Sequence, residues 1–246
     1  FFEHEFVPQV SDLEKLVDEN TKAILYNFPS NPTGATINVE QRDELLDFAR
    51  RHNIWIITDE VYDRIIYGSE HVSFLGTEYD KILLVNSFSK TFAMTGWRIG
   101  YILSTNLEAM KQLVKLQYYV TACSNDAMQY AVLAAFNEAY DYPAEMTQEF
   151  QARRDLICER LNAMPGVSCH IPEGAFYVFP KVEVPGMNSE EVAMELLRGG
   201  VLCSPGTAFG ESGEGHLRFA YTIGREDISR GMDKVEKVLS KLRDGN

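Results

Sequence analysis

Two short runs in this chain have continuous apolar centres with β-branched residues: 54–58 (IWIIT) and 81–86 (KILLVN). A strand with one face in water alternates apolar with polar side chains, whereas an unbroken apolar run is the mark of burial on both faces. Sheets covered on both faces are mostly parallel ones, and helices supply the cover. The flanking sequence agrees. The stretch 39–52 sets Leu45, Leu46 and Ala49 on one side and charges on the other, as an amphipathic helix does. Another apolar strand, 23–28, precedes it, and 98–104 (RIGYILS) reads as a further one. Strand, helix, strand, connector and strand predict an α/β fold, a mostly parallel sheet joined by right-handed crossovers.

Around this centre the expectations are more local. Ser11 followed by Glu14 has the spacing of a capping box for a short helix over 11–20. A long helical region is expected over 106–137 and another helix over 143–163, ended by Met164-Pro165-Gly166. The remainder reads as a smaller α+β unit, with strands near 167–171, 174–181 and 216–222 and helices near 189–198 and 225–243. The expected division is 1–145 for the sheet-bearing domain and 146–246 for the small one.

Charge narrows the partners. The chain carries 36 acidic against 23 basic residues, a net charge of -13, which repels phosphate backbones and anionic lipid. Nucleic acid and membrane are therefore not expected partners, while a small anion held by a few arginines remains compatible. Cys123, Cys158, Cys169 and Cys203 form no CxxC pair, and the histidines lack metal-ligand spacing. Reduced thiols, no metal and a cytoplasmic setting are the expectation. The opening Phe1-Phe2-Glu3-His4-Glu5-Phe6 is interrupted by acids and is not a signal peptide. It reads as the middle of a longer chain.

In open parallel sheets, ligands sit beyond the carboxyl ends of the strands. Polar clusters stand at those ends here: Asn31-Pro32-Thr33-Gly34, Asp59-Glu60-Val61-Tyr62 and Ser87-Phe88-Ser89-Lys90. Neighbouring strands lie about 4.8 Å apart, so such clusters can converge on one ring-sized ligand.

These clusters, continued by Thr91-Phe92-Ala93-Met94-Thr95-Gly96-Trp97-Arg98-Ile99-Gly100, resemble the pyridoxal-phosphate (PLP) dependent aminotransferases of class I/II, fold type I. The resemblance extends through Pro205-Gly206-Thr207-Ala208-Phe209-Gly210 and His216-Leu217-Arg218-Phe219. It implies part of the fold type I large domain followed by a small α+β domain. It also implies roles. Lys90 links covalently to the PLP aldehyde and later serves as general base and acid. Asp59 pairs with the pyridine nitrogen, keeping the ring an electron sink. Tyr62 and Asn31 reach the ring's phenolic oxygen. Ser87 and Arg98 hold the phosphate, which favours a guanidinium fork with hydroxyl donors. Gly96 suits a tight turn returning Arg98 to the site. Arg218, with Asn31, takes the substrate α-carboxylate.

The activity implied is transfer of an α-amino group from an amino acid to a 2-oxo acid in two half-reactions, of aspartate, alanine or aromatic type, by a homodimer. A PLP-dependent C–S lyase, or the aminotransferase-like ligand-binding domain of a transcription regulator, would use the same scaffold. The family also draws a phosphate loop, a stacking aromatic ring and further strands from sequence not seen before Phe1. Strands 23–28 and 98–104 are thus expected to lack a neighbour, and the chain alone to bind PLP weakly.

Overall fold

The computed structural model describes residues 6–244, so the opening Phe1–Glu5 pattern lies outside the described residues. The chain divides into two compact units. Val7–Pro29 and Thr36–Glu145 form a sheet unit; Ser30–Ala35 and the residues from Met146 onward form a C-terminal unit.

The sheet unit runs β1 (Ala23–Asn27), α2 (Val39–His52), β2 (Trp55–Asp59), β3 (Ile82–Ser87), α3 (Phe88–Thr91), β4 (Gly100–Leu103), α4 (Leu107–Thr121) and α5 (Asp126–Glu138), preceded by the four-residue α1 (Val10–Leu13). The sheet order is β1-β2-β3-β4. The first two pairings are parallel, with Leu25 opposite Ile57 and Ile57 opposite Leu83; β4 closes the series antiparallel to β3. The sheet is mostly parallel, as expected, and β1 and β4 are its edges among the described residues.

The unbroken apolar runs predict two buried faces, but only one is fully buried. Ile56, Thr58, Ile82, Leu84 and Asn86 are sealed, while Trp55, Ile57, Leu83 and Val85 on the opposite face are half-covered. The helices after β4 do not finish that cover: α4 buries none of its residues and α5 only Val132. The long helical region is in fact two helices, parted where Ala122 turns left-handed at φ 62° and restarted by the Asn125 cap.

The expected capping box near the start does not form. Helix α1 begins one residue before Ser11, after an uncapped Gln9. Glu14 is drawn instead to the side chains of Arg51 and His52 at the end of α2, which hold its carboxyl below the usual range. An ionic partner outcompetes a backbone N–H for a carboxylate. Helix α2 forms its own box, from Asn38 and Gln41.

The C-terminal unit contains α6 (Tyr142–Asn162), β5 (Val167–Ser168), β6 (Tyr177–Val178), β7 (Lys181–Val182), α7 (Ser189–Arg198), β8 (Ser204–Pro205), β9 (Leu217–Ala220) and α8 (Arg225–Arg243). Strands β6, β9 and β8 form one antiparallel sheet, and β5 pairs with β7. Leu161, Leu196, Leu217, Tyr221, Val235 and Leu239 centre its core, each about 1% exposed or less. The strands are shorter than the apolar stretches that announce them, and β8 has no sequence signal of its own.

Candidate active site

Asp59 ends β2, in register with Asn27 on β1 and Val85 on β3. Its carbonyl accepts from the Asn27 side chain at 3.0 Å, and its carboxylate accepts from the Val61 amide at 3.1 Å. Burial raises the carboxyl's pKa, against the pull of the Val61 amide, with the charge of Glu60 adding to the rise. The backbone then turns without forming a helix, closed by Asp63 N–H to Glu60 C=O and Ile65 N–H to Tyr62 C=O. That turn buries the Tyr62 ring, which is 3% exposed. Tyr62 thus lies on a turn, three residues after Asp59.

One strand further on, Ser87 ends β3 and caps α3, accepting from the Ser89 amide at 3.1 Å. The Ser87 hydroxyl lies 3.1 Å from the Ile99 carbonyl and 2.8 Å from the Ser89 hydroxyl. Having a single proton, Ser87 donates to the carbonyl, which can only accept, and receives from Ser89. Helix α3 carries Lys90, whose Nζ stands 6.0 Å from the centre of the Tyr62 ring. Burial first, and the charge of Arg98 second, lower the pKa of Lys90.

Arg98 itself adopts the left-handed conformation, φ 55° and ψ 52°, and donates to the Thr95 carbonyl at 3.0 Å. The sequence suggests Gly96 as the special turn residue. Gly96 sits in a 3-10 turn with open space around it, and the left-handed positions are Ala93 and Arg98. The glycine that matters sterically is Gly100: a Cβ there would lie 2.6 Å from the Asn86 carbonyl oxygen, opposite Ser87 in the β3–β4 register.

In the C-terminal unit, Arg218 lies on β9 between the buried Leu217 and Phe219. Its guanidinium sits between the rings of Tyr177 and Phe209, 4.7 and 4.8 Å from their centres. Nη1 donates to Asn31 Oδ1 at 2.9 Å and Nη2 to Ser204 Oγ at 3.2 Å, while Nε is buried without an acceptor. Asn31 is held there because Gly34, at φ +71°, lets the loop lie against 172–174. The Gly34 carbonyl accepts from the amides of Glu173 and Gly174 at 3.0 and 2.8 Å. Any side chain at Gly34 would meet Pro172.

The profile of the family described as aminotransferase class I and II matches residues 3–235. The chain belongs to that family. Its aminotransferase relatives include the aspartate aminotransferase of Pyrococcus horikoshii, 38% identical over 96% of this chain and 61% of that protein. The solved aromatic aminotransferase from Pyrococcus horikoshii superposes with a TM-score of 0.94 at 36% identity, covering 98% of this chain and 65% of that one. The alanine aminotransferase from Pyrococcus furiosus gives a TM-score of 0.91 at 34% identity, covering 97% and 63%. The chain thus spans about three-fifths of the length of the curated relatives it matches.

Class I and II aminotransferases work with pyridoxal phosphate, and the donor set of the sheet unit fits it. Asp59 is a partly buried acid with a backbone amide as its recorded hydrogen-bond partner, the state a protonated ring nitrogen would complete. Lys90 is an amine pushed toward its neutral, reactive form. Several members of this arrangement have no single-residue signal in the sequence. Tyr177, Ser204 and Phe209 seat Arg218; Tyr177 and Phe209 stand in stretches that resemble the family, 174–177 and 205–210, and Ser204 does not. Behind Asp59, the buried Glu60 meets His71 at 2.6 Å, a pairing across a loop that no spacing rule anticipates.

Proposed function

We propose that the protein carrying this chain is a PLP-dependent aminotransferase, moving an α-amino group from an amino acid to a 2-oxo acid in alternating half-reactions. The observation that carries the reading is Lys90, at the carboxyl end of a parallel sheet, half-buried near Tyr62, with burial and Arg98 both favouring its neutral amine. When bound, the cofactor supplies an electron-withdrawing ring. Lys90 would hold it and carry a proton to and from the substrate Cα. Asp59 would keep a proton on the pyridine nitrogen, Tyr62 would donate to the ring oxygen, and Ser87 and Arg98 would hold the phosphate. In the C-terminal unit, Arg218 offers a guanidinium already oriented by Asn31 and Ser204, a fork suited to a carboxylate.

Aspartate, alanine and aromatic amino acids are the donor classes proposed, supported by the names of the relatives. A cytoplasmic homodimer belongs to the same proposal, supported by the free cysteines and by the apolar side chains that α4 leaves exposed. No described helix is long and apolar enough to cross a membrane, and no described cluster could hold a metal ion.

An amino-donor panel with 2-oxoglutarate, run on the full-length protein, tests the reading. Glutamate should form from one or more donors, and Lys90→Ala should lose multiple turnover by several orders of magnitude. A Lys90→Ala variant with unchanged turnover would end the assignment, as would release of ammonia and pyruvate without any oxo acid.

A further inference from the structure

Between Asp59 and Tyr62 in sequence stands a carboxylate that points away from any role given above. Glu60 is 2% exposed, and its carboxylate joins two segments, the end of β2 and the loop 71–74. Its Oε1 accepts from the Thr58 hydroxyl at 3.1 Å and from the Phe74 amide at 3.2 Å. Its Oε2 lies 2.6 Å from His71 Nε2. An ionised carboxylate can only accept, so that ring nitrogen carries the proton. Through Phe74 and His71 a single side chain clamps the loop 71–74 against the end of β2. The Glu60 amide meanwhile donates to the Val85 carbonyl at 3.0 Å and its carbonyl accepts from Asp63, which fixes the start of the Tyr62 turn.

A carboxylate this deep is costly unless paired. The other titratable groups around it are Asp59, Asp63, Arg64 and, on β4, the Tyr101 phenol. Asp59 and Asp63 both have raised pKa values, chiefly from burial, with the Glu60 charge contributing to each. His71 supplies the hydrogen bond to Oε2, as Thr58 and Phe74 do to Oε1.

We propose that Glu60 and His71 form a buried positioning pair, which holds the turn bearing Asp59 and Tyr62 in the geometry that cofactor binding requires. The inference rests on the reading of the site as a PLP site. Neither residue touches the reacting atoms; both act through Asp59 and Tyr62.

The test is cofactor affinity, measured by equilibrium titration of the cofactor-free full-length protein with pyridoxal phosphate, beside its thermal unfolding. Replacing His71 by Ala removes the donor to a buried carboxylate, and the dissociation constant should rise about tenfold or more. His71→Gln places an amide N–H where Nε2 stands and should restore binding to within a few-fold of the wild type; His71→Asn is too short and should not. A site loosened only in general stability would follow unfolding temperature, whereas the proposal requires affinity to follow the reach of the donor. If His71→Ala does not fold, the Gln and Asn variants decide the matter in the same way. Wild-type affinity in both His71→Ala and His71→Asn, with lysine-linked absorbance intact, would overturn the pair and leave the functional reading standing. A wild-type protein that shows no lysine-linked absorbance would remove both.

Discussion

Arg218 owes its geometry to four residues distant in sequence: two rings press its faces and two polar side chains hold its fork. A lysine ammonium at the same place is a point charge with neither fork nor flat face. Arg218→Lys is therefore expected to raise KM for amino-acid substrates about tenfold or more, since charge-assisted hydrogen bonds are worth roughly 1.5–3 kcal/mol each. Lysine-linked cofactor absorbance should stay unchanged, and an unaltered KM would remove Arg218 from substrate binding. Asp59 allows a prediction about pH. Its folded pKa is raised, so in the cofactor-free protein the carboxyl favours the fold in acid, and that contribution disappears as pH climbs through the raised value. Asp59→Asn escapes the loss. Cofactor-free Asp59→Asn should match the wild type in urea midpoint in acid and exceed it at neutral pH, while binding pyridoxal phosphate far more weakly. A wild type that is the more stable of the two at neutral pH would contradict this.

Among the elements, helices with strong periodicity were legible in the sequence. α2, α7 and α8 fall where the sequence places helices, over 39–52 and near 189–198 and 225–243. The polar clusters after β1, β2 and β3 were legible too, because strand ends in a parallel sheet are where chemistry collects. What escaped depends on contacts between segments far apart. Glu14 left its expected cap for two residues of α2, and β8 exists only because β9 pairs with it. The pairing of β4 is likewise tertiary: at Gly100 the antiparallel strands approach so closely that a Cβ would sit 2.6 Å from Asn86 O and 3.3 Å from Ser87 Cα. The obstacle is backbone, which cannot swing aside. Gly100→Ala should cost about 1–3 kcal/mol by overpacking. It should also weaken pyridoxal phosphate binding, because Ser87 must shift with its strand. Unfolding midpoints and cofactor titration read the two effects separately, and loss of neither would mean the edge strand simply relaxes.

At the scale of the whole molecule, apolar edge and net charge oppose one another. Leu25 on β1 is 74% exposed, and Tyr101, Ile102 and Leu103 on β4 are 36–41% exposed, on strands with free hydrogen-bonding edges among the described residues. Helix α4 adds Val114, Leu116, Tyr118, Tyr119 and Val120 to the uncovered surface. Edges of this kind template pairing with another chain, and burying one large aliphatic side chain contributes roughly 1.5–3 kcal/mol. Against this stands a net charge of -13, whose repulsion reaches about 10 Å in 0.1 M salt and only about 3 Å in 1 M. Attraction works at contact and is not screened, so salt should tip the balance. Sedimentation velocity on the 246-residue chain expressed alone should show self-association that strengthens from low to high salt. Leu25→Lys, which places a charge on the β1 edge at a side chain 74% exposed, should reduce it without lowering the unfolding temperature. Association that weakened with salt would mean that charge, not the sheet edges, brings the chains together.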